Sequence, residues 1–155
     1  MAEEIAQPTM AEERKAKLQT PKKAKIIIVL GKRKSAIARA TARLGTGKIT
    51  INSMPVSMMS PEIARLKIEE PIVIAGDAAK TVDIDVSVSG GGVIGQADAI
   101  RQAIALSLVG FDKKLKAAFL NYDRTLLVAD VRRNEPHKPS CSKRGPRRHK
   151  QRSKR

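Results

Sequence analysis

The last 24 residues, RRNEPHKPSCSKRGPRRHKQRSKR, carry eleven lysines and arginines against one glutamate, with three prolines and no aliphatic or aromatic side chain. Such a segment cannot bury enough apolar surface to offset the entropy of ordering itself. Alone it should be disordered, and any hydrophobic core must be completed before Arg132. Fully extended, the segment would reach roughly 80 Å at about 3.3–3.6 Å per residue, far beyond the edge of a domain of this size. The prediction is therefore a single domain over residues 26–131, a basic reaching tail over 132–155, and an amino-terminal extension over 1–25.

The net charge of +16 is mostly that tail: residues 1–25 contribute +2, 26–131 contribute +4 and 132–155 contribute +10. A balance of this kind favours a polyanionic partner, nucleic acid first and an anionic membrane second, over an acidic small substrate. No run of eighteen apolar residues is present, and the first 25 residues hold four glutamates and no apolar stretch. Neither a spanning helix nor a secretory signal is expected, and the protein is placed in the cytoplasm. The single Cys141 cannot form an intramolecular disulfide, which agrees with a reducing compartment.

The middle segment has the periodicities of folded chain. In KIIIVLGKRKSAIARATARLGTGKITIN, Ile37, Arg39, Thr41 and Arg43 share one side and Ala38, Ala40, Ala42 and Leu44 the other, a strand pattern for which the alanines make helix a competitor. The glycines of GTG at 45–47, followed by alternating KITIN, predict a hairpin turn into a second strand. Ser60-Pro61-Glu62 predicts a helix start with proline in the first helical position, running to about Glu70, where Pro71 closes it. PIVIA is then either a continuation after a break or a short buried element. Val82, Ile84, Val86 and Val88 alternate with Asp83, Asp85 and Ser87, a half-buried strand. Helical spacing returns from Gln96 to Val109, through Ile100, Ala103, Ile104 and Leu108, and again through Leu115, Ala118, Phe119 and Tyr122. TLLVADV closes the domain as a strand or an irregular turn.

From Gly90 the chain reads G-G-G-V-I-G, formally a dinucleotide fingerprint. Its surroundings argue against one. The first strand of a doubly wound sheet is covered on both faces, whereas Asp83 and Asp85 demand that one face meet solvent or a basic partner. The acidic strand end about twenty residues on is replaced by Lys113, Lys114 and Lys116. Half of residues 26–131 are committed before the glycines. Two readings remain. The glycines at 90, 91 and 92 form a strand-to-helix corner where a side chain would collide with neighbouring backbone, or their N–H groups hold a phosphate, which could belong to RNA.

No other chemistry emerges. His137, Cys141 and His149 provide too few ligands for a structural zinc site. Residues 26–131 contain no histidine and no nucleophile motif, and Asp83 with Asp85 show no division into acid and base. No cofactor or metal is expected, and no enzymatic activity. With one tyrosine, two phenylalanines and no tryptophan, base stacking is a poor basis for binding, so contact should run through phosphates and shape. Lys32, Arg33 and Lys34 form a compact group suited to phosphate, and the arginine forks of a proline-broken tail suit structured RNA.

GKRKSAIARA (31–40), GGGVIGQADAIRQAIALSL (90–108), DVRRNEPHK (130–138) and a terminal SKR, in that order, resemble the ninth protein of the small ribosomal subunit in its archaeal form. The resemblance covers about 26–138 and the last three residues. It implies an α+β fold in which a four-stranded sheet packs against helices, like the second domain of the fifth small-subunit protein, with a left-handed crossover unlike the usual rule. It implies a structural role in the small-subunit head, bound to small-subunit ribosomal RNA beside neighbouring head proteins, with the tail reaching the peptidyl-site transfer RNA. No membrane partner and no homo-oligomer are expected. Carried over, Lys32, Arg33, Lys34 and Arg39 become ribosomal RNA contacts. So do Arg132, Arg133 and Lys138 at the tail root and Lys143, Arg144, Arg147 and Arg148 along it, while Lys154 and Arg155 lie nearest the transfer RNA. Gly90, Gly91, Gly92 and Gly95 become a structural corner. Residues 139–152 depart from the family pattern, and 1–25 match nothing. The rival reading is a histone-like DNA-coating protein, which suits the tail but leaves the folded half without a groove-entering helix or a dimer interface.

Overall fold

The computed structural model describes residues 25–133 and, within the tail, the backbone of 141–142 and 145–149. Strands β1 (Ile27–Arg33), β2 (Ala36–Leu44), β3 (Ile49–Ile51), β4 (Met54–Pro55) and β5 (Val82–Ser89) form one mixed sheet in the order β1-β2-β5-β3-β4. Helices α1 (Glu62–Ala75), α2 (Val93–Phe111) and α3 (Leu115–Tyr122) complete an α+β fold. The expected four strands gain a fifth, the two-residue edge strand β4. Its partner β3 runs parallel to β5, whereas β1, β2 and β5 pair antiparallel.

The period of two in β2 and β5 sets the layers. Ala36, Ala38, Ala40 and Ala42 of β2 and Val82, Ile84, Val86 and Val88 of β5 are buried. Helix α2 lies directly on this face, and α1 and α3 pack on α2. Alanine is a weak strand former; along β2 it serves close approach at the seam with α2, where Ala99 and Ala103 are also fully buried. At Gly31 the approach is closer still: a Cβ there would overlap the Ala99 carbonyl oxygen and lie 2.9 Å from the Ala103 nitrogen. The opposite face of the sheet is uncovered and presents Ile28, Leu30, Ile37, Arg39, Arg43, Asp85 and Ser87.

Helix α2 runs antiparallel alongside β1. At its carboxyl end the Lys25 ammonium donates to the Gly110 carbonyl at 3.0 Å and stands 5.3 Å from the Phe111 ring centroid. Toward its amino end, the Gln102 side chain, 4 % exposed, accepts from the Lys32 backbone N–H at 2.9 Å. An edge strand leaves such donors open, and this buried amide satisfies one.

Two expectations are corrected. The glycines of 45–47 do not make a β2–β3 hairpin, because β5 lies between those strands. The loop instead wraps the start of β5. Asp83 accepts from the backbone N–H groups of Thr46 and Lys48 at 2.8 and 2.9 Å, and a Cβ at Gly47 would lie 2.8 Å from Lys80 Cα. Glycine is needed there for close approach to β5, with Gly47 also at φ +86°. Nor does Pro71 close the first helix. Pro61 is its N-cap, and the helix runs through PIVIA to Ala75, where Gly76 at φ +54° ends it. Pro71 removes one backbone donor, but it is buried in the core with Ile68 and Ala75, and that packing carries the helix past it.

The last helix buries Phe119 but leaves Tyr122 exposed, and TLLVADV closes as a short 3-10 turn at Arg124–Leu126 followed by irregular chain. Within the tail, β6 (Cys141–Ser142) pairs antiparallel with β7 (Gly145–His149), a local pairing that composition alone does not predict.

Candidate nucleic-acid interface

The turn between β1 and β2, the glycine corner before α2 and the root of the tail meet at the amino end of α2. Lys34 is at the tip of the turn, exposed and in the left-handed region at φ +54°, which few non-glycine residues adopt. The glycine corner packs against this turn. Gly90 and Gly91 have φ of +78° and +70°, and a Cβ would fall 2.6 Å from the Ser35 carbonyl oxygen at Gly90 and 3.1 Å from the Ala36 nitrogen at Gly91. Gln96 holds the corner by donating to the Gly90 carbonyl at 3.1 Å. The other two glycines differ: Gly92 is the helix N-cap with open space around it, and a Cβ at Gly95 would have only ordinary contacts at 3.9 Å.

The three cations of 32–34 have different surroundings. Lys34 and Lys32 have no carboxylate partner among the described residues, whereas Arg33 pairs with Asp130 and, at 3.6 Å, with Asp98. Asp98 also receives the Lys67 ammonium at 2.8 Å, and Asp130 accepts the Arg132 backbone N–H at 2.8 Å. Arg33 therefore ties β1 to α2 and to the start of the tail. A second network lies behind it, where Arg101 pairs with Glu70 and with Asp123. The Asp123 carboxyl is held below the usual carboxylate range: burial opposes this, but hydrogen bonds from the Thr125 hydroxyl and amide and the nearby Arg101 outweigh it.

Arg39 stands on the open sheet face, opposite Ser87 in the β2–β5 register, with no ion pair among the described residues. Its neighbours Asp83 and Asp85 are not simply solvated. Asp83 is held below the usual carboxylate range by the Lys48 and Thr46 backbone donors, and Asp85 by the Thr50 hydroxyl and by Arg43. Arg132 and Arg133 are exposed at the end of the described domain. Arg147 and Arg148 fall in β7; Lys138, Lys143, Arg144, Lys154 and Arg155 lie outside the described residues, as does His137. No group of three metal-ligating side chains occurs among the described residues. Arg124, which the sequence reading passes over, borders the same end of the molecule as Lys32 and Arg132.

A family model described as ribosomal protein S9/S16 matches residues 31–155, a span that takes in the Lys32–Lys34 turn, the glycine corner and the tail. The chain belongs to the ribosomal protein S9/S16 family. Curated relatives named small ribosomal subunit protein uS9 from Methanococcus maripaludis, strains C7 and S2, are each 50% identical over 131 residues, covering 83% of this chain and 98% of theirs. The uS9 protein of Methanococcus vannielii matches at the same identity and coverage. As a member of this family the chain is a structural, non-enzymatic ribosomal protein. The positive φ angles of Gly90 and Gly91 in the GGGVIG stretch belong to a turn packed on the β1–β2 connection. Among the described residues no helix is long and apolar enough to cross a membrane.

Proposed function

We propose that this protein is a structural component of the small ribosomal subunit in the cytoplasm, binding small-subunit ribosomal RNA with the amino end of α2 and its surroundings. The convergence of Lys34, the glycine corner and the tail root on that end carries the reading. Phosphates of a folded RNA need closely spaced cations and backbone donors, and this end supplies Lys32 and Lys34, without a carboxylate partner among the described residues, beside an exposed helix start. Eleven cations follow in the tail, which neutralises phosphates along its path and brings Lys154 and Arg155 to the peptidyl-site transfer RNA. Arg33, occupied by Asp98 and Asp130, serves RNA binding by holding the tail root in place.

Sedimentation of cell lysate in high salt tests the assignment. The chain should travel with small subunits and be released by ribonuclease alone; release by salt, or dependence on DNA, would favour a chromosomal coating protein. For the tail, deletion of 132–155 should flatten the salt dependence of RNA affinity, and an unchanged slope refutes a phosphate role. Deleting only Lys154 and Arg155 should leave subunit assembly intact and weaken peptidyl-site occupancy. Defective assembly would move their role to ribosomal RNA.

A further inference from the structure

A cavity of about 570 Å³ opens where the end of β1, α1, α2 and the chain from Arg124 to Arg132 come together. That volume is within the range of pockets that take small ligands, roughly 300–1,000 Å³. Six cations line it, but they are not equivalent. Arg33 and Lys67 are neutralised by Asp98 and Asp130, and Arg101 by Glu70 and Asp123. Lys32, Arg124 and Arg132 also border the cavity and have no carboxylate partner among the described residues.

We propose that this cavity is a phosphodiester pocket that clamps one backbone phosphate of RNA between Lys32, Arg124 and Arg132. The inference deepens the RNA-binding reading above and rests on it. Its chemistry follows from the division of labour among the cations. The paired residues hold the wall, with Arg33 and Lys67 meeting on Asp98 from β1 and α1. This occupies both lining carboxylates, so neither repels an incoming anion. The unpaired residues line the same space from two separate segments, β1 and the chain after α3. Two arginine forks and an ammonium match the oxygens of a phosphodiester, because each guanidinium can present two parallel donors. The backbone is preset as well: the Arg132 N–H is bonded to Asp130, and Arg124 opens a 3-10 turn whose preceding residue, Asp123, accepts from the Thr125 N–H at 2.8 Å. Both arginines thus project from fixed chain, which lowers the ordering cost of binding.

The test uses the full chain and a transcript of the head domain of small-subunit ribosomal RNA, comparing wild type with Arg124→Gln and Arg132→Gln. Both residues are exposed, and far-UV circular dichroism checks that each variant is folded. Each substitution should weaken binding about 5- to 10-fold at moderate salt and reduce the slope of log affinity against log salt by about 1. Ethylation interference supplies the decisive reading. One phosphate whose ethylation blocks wild-type binding should become indifferent in both variants, and it should be the same phosphate. Affinities within twofold of wild type, or lost interference at two distant phosphates, would overturn the pocket while leaving RNA binding in place. Failure of the wild type to bind the transcript would overturn both readings.

Discussion

Replacing Gly31 by alanine should cost the domain about 1.5–3 kcal/mol. The added Cβ would overlap the Ala99 carbonyl oxygen and crowd the Ala103 nitrogen, so the obstacle is backbone on both sides and no rotamer change can relieve it. Relief requires α2 to withdraw from β1 by about 1 Å, a gap that forfeits a quarter to a half of each dispersion contact it opens. For on the order of 20 atom pairs across the alanine seam, at roughly 0.1–0.2 kcal/mol each, the loss is about 0.5–2 kcal/mol. The same movement would stretch the 2.9 Å bond from the Lys32 N–H to Gln102 beyond hydrogen-bonding range, at a further cost of about 1 kcal/mol. With no tryptophan in the chain, urea unfolding is best followed by far-UV circular dichroism. At a slope of about 1–3 kcal/mol per molar, the midpoint should fall by about 0.5–3 M. Gly95→Ala provides the contrast, since its Cβ meets only ordinary contacts inside α2, and it should stabilise by about 0.4–1 kcal/mol. A Gly31→Ala midpoint within experimental error of wild type would refute the close-approach account of the seam.

Three further outcomes follow from the side-chain networks. The Asp83 carboxylate, whose folded pKa is lowered, contributes stability that is fully present above its unfolded value of about 3.9 and is lost as pH falls through the lower folded value. Protection of the Thr46 and Lys48 amides against hydrogen exchange should therefore persist at about pH 4 and fade only in stronger acid; Asp83→Ala should abolish it at neutral pH, and protection already lost at about pH 5 would contradict the assignment. Arg33→Gln should lower stability by about 1 kcal/mol, measured by denaturant titration, and should speed exchange of the Arg132 amide, which depends on a fixed Asp130; unchanged exchange would mean that Arg33 does not hold the tail root. Arg43→Ala removes the ion pair to Asp85, but both side chains are about half exposed, so the urea midpoint should correspond to a change within about 0.5 kcal/mol.

The parts of the fold legible in the sequence were those set by local period. The alternation of β2 and β5 fixes which side chains enter the core, except that Leu44, in phase with Ala38, Ala40 and Ala42, is exposed at the strand end, and the spacing of Ile100, Ile104 and Leu108 fixes the buried face of α2. Strand pairing was less accessible. The glycines at 45–47 carry a hairpin signature, yet they answer to Asp83 of β5 and to Lys80 just before it, in chain that arrives only after α1. Pro71 misled for a related reason, since burial against the core outweighs one missing donor. At the candidate interface, the cations of 32–34 were visible as a cluster, but the commitment of Arg33 was not, because Asp98 and Asp130 are far from it in sequence. Arg124 gave no local signal at all; its placement depends on how the chain after α3 returns to β1.

The antiparallel course of β1 along α2 has a practical consequence for experiments on this protein. Lys25 is fastened beside Gly110, whereas the chain leading to Arg132 is fastened through Arg33 and Asp130 near Asp98. Those two points on α2 are 12 residues apart, about 18 Å at 1.5 Å per residue. A handle or fluorophore joined directly to Lys25 in place of residues 1–24 would therefore be held at the far end of the helix from the cationic exit. It gives pull-down and single-molecule work an attachment point away from the surface under test.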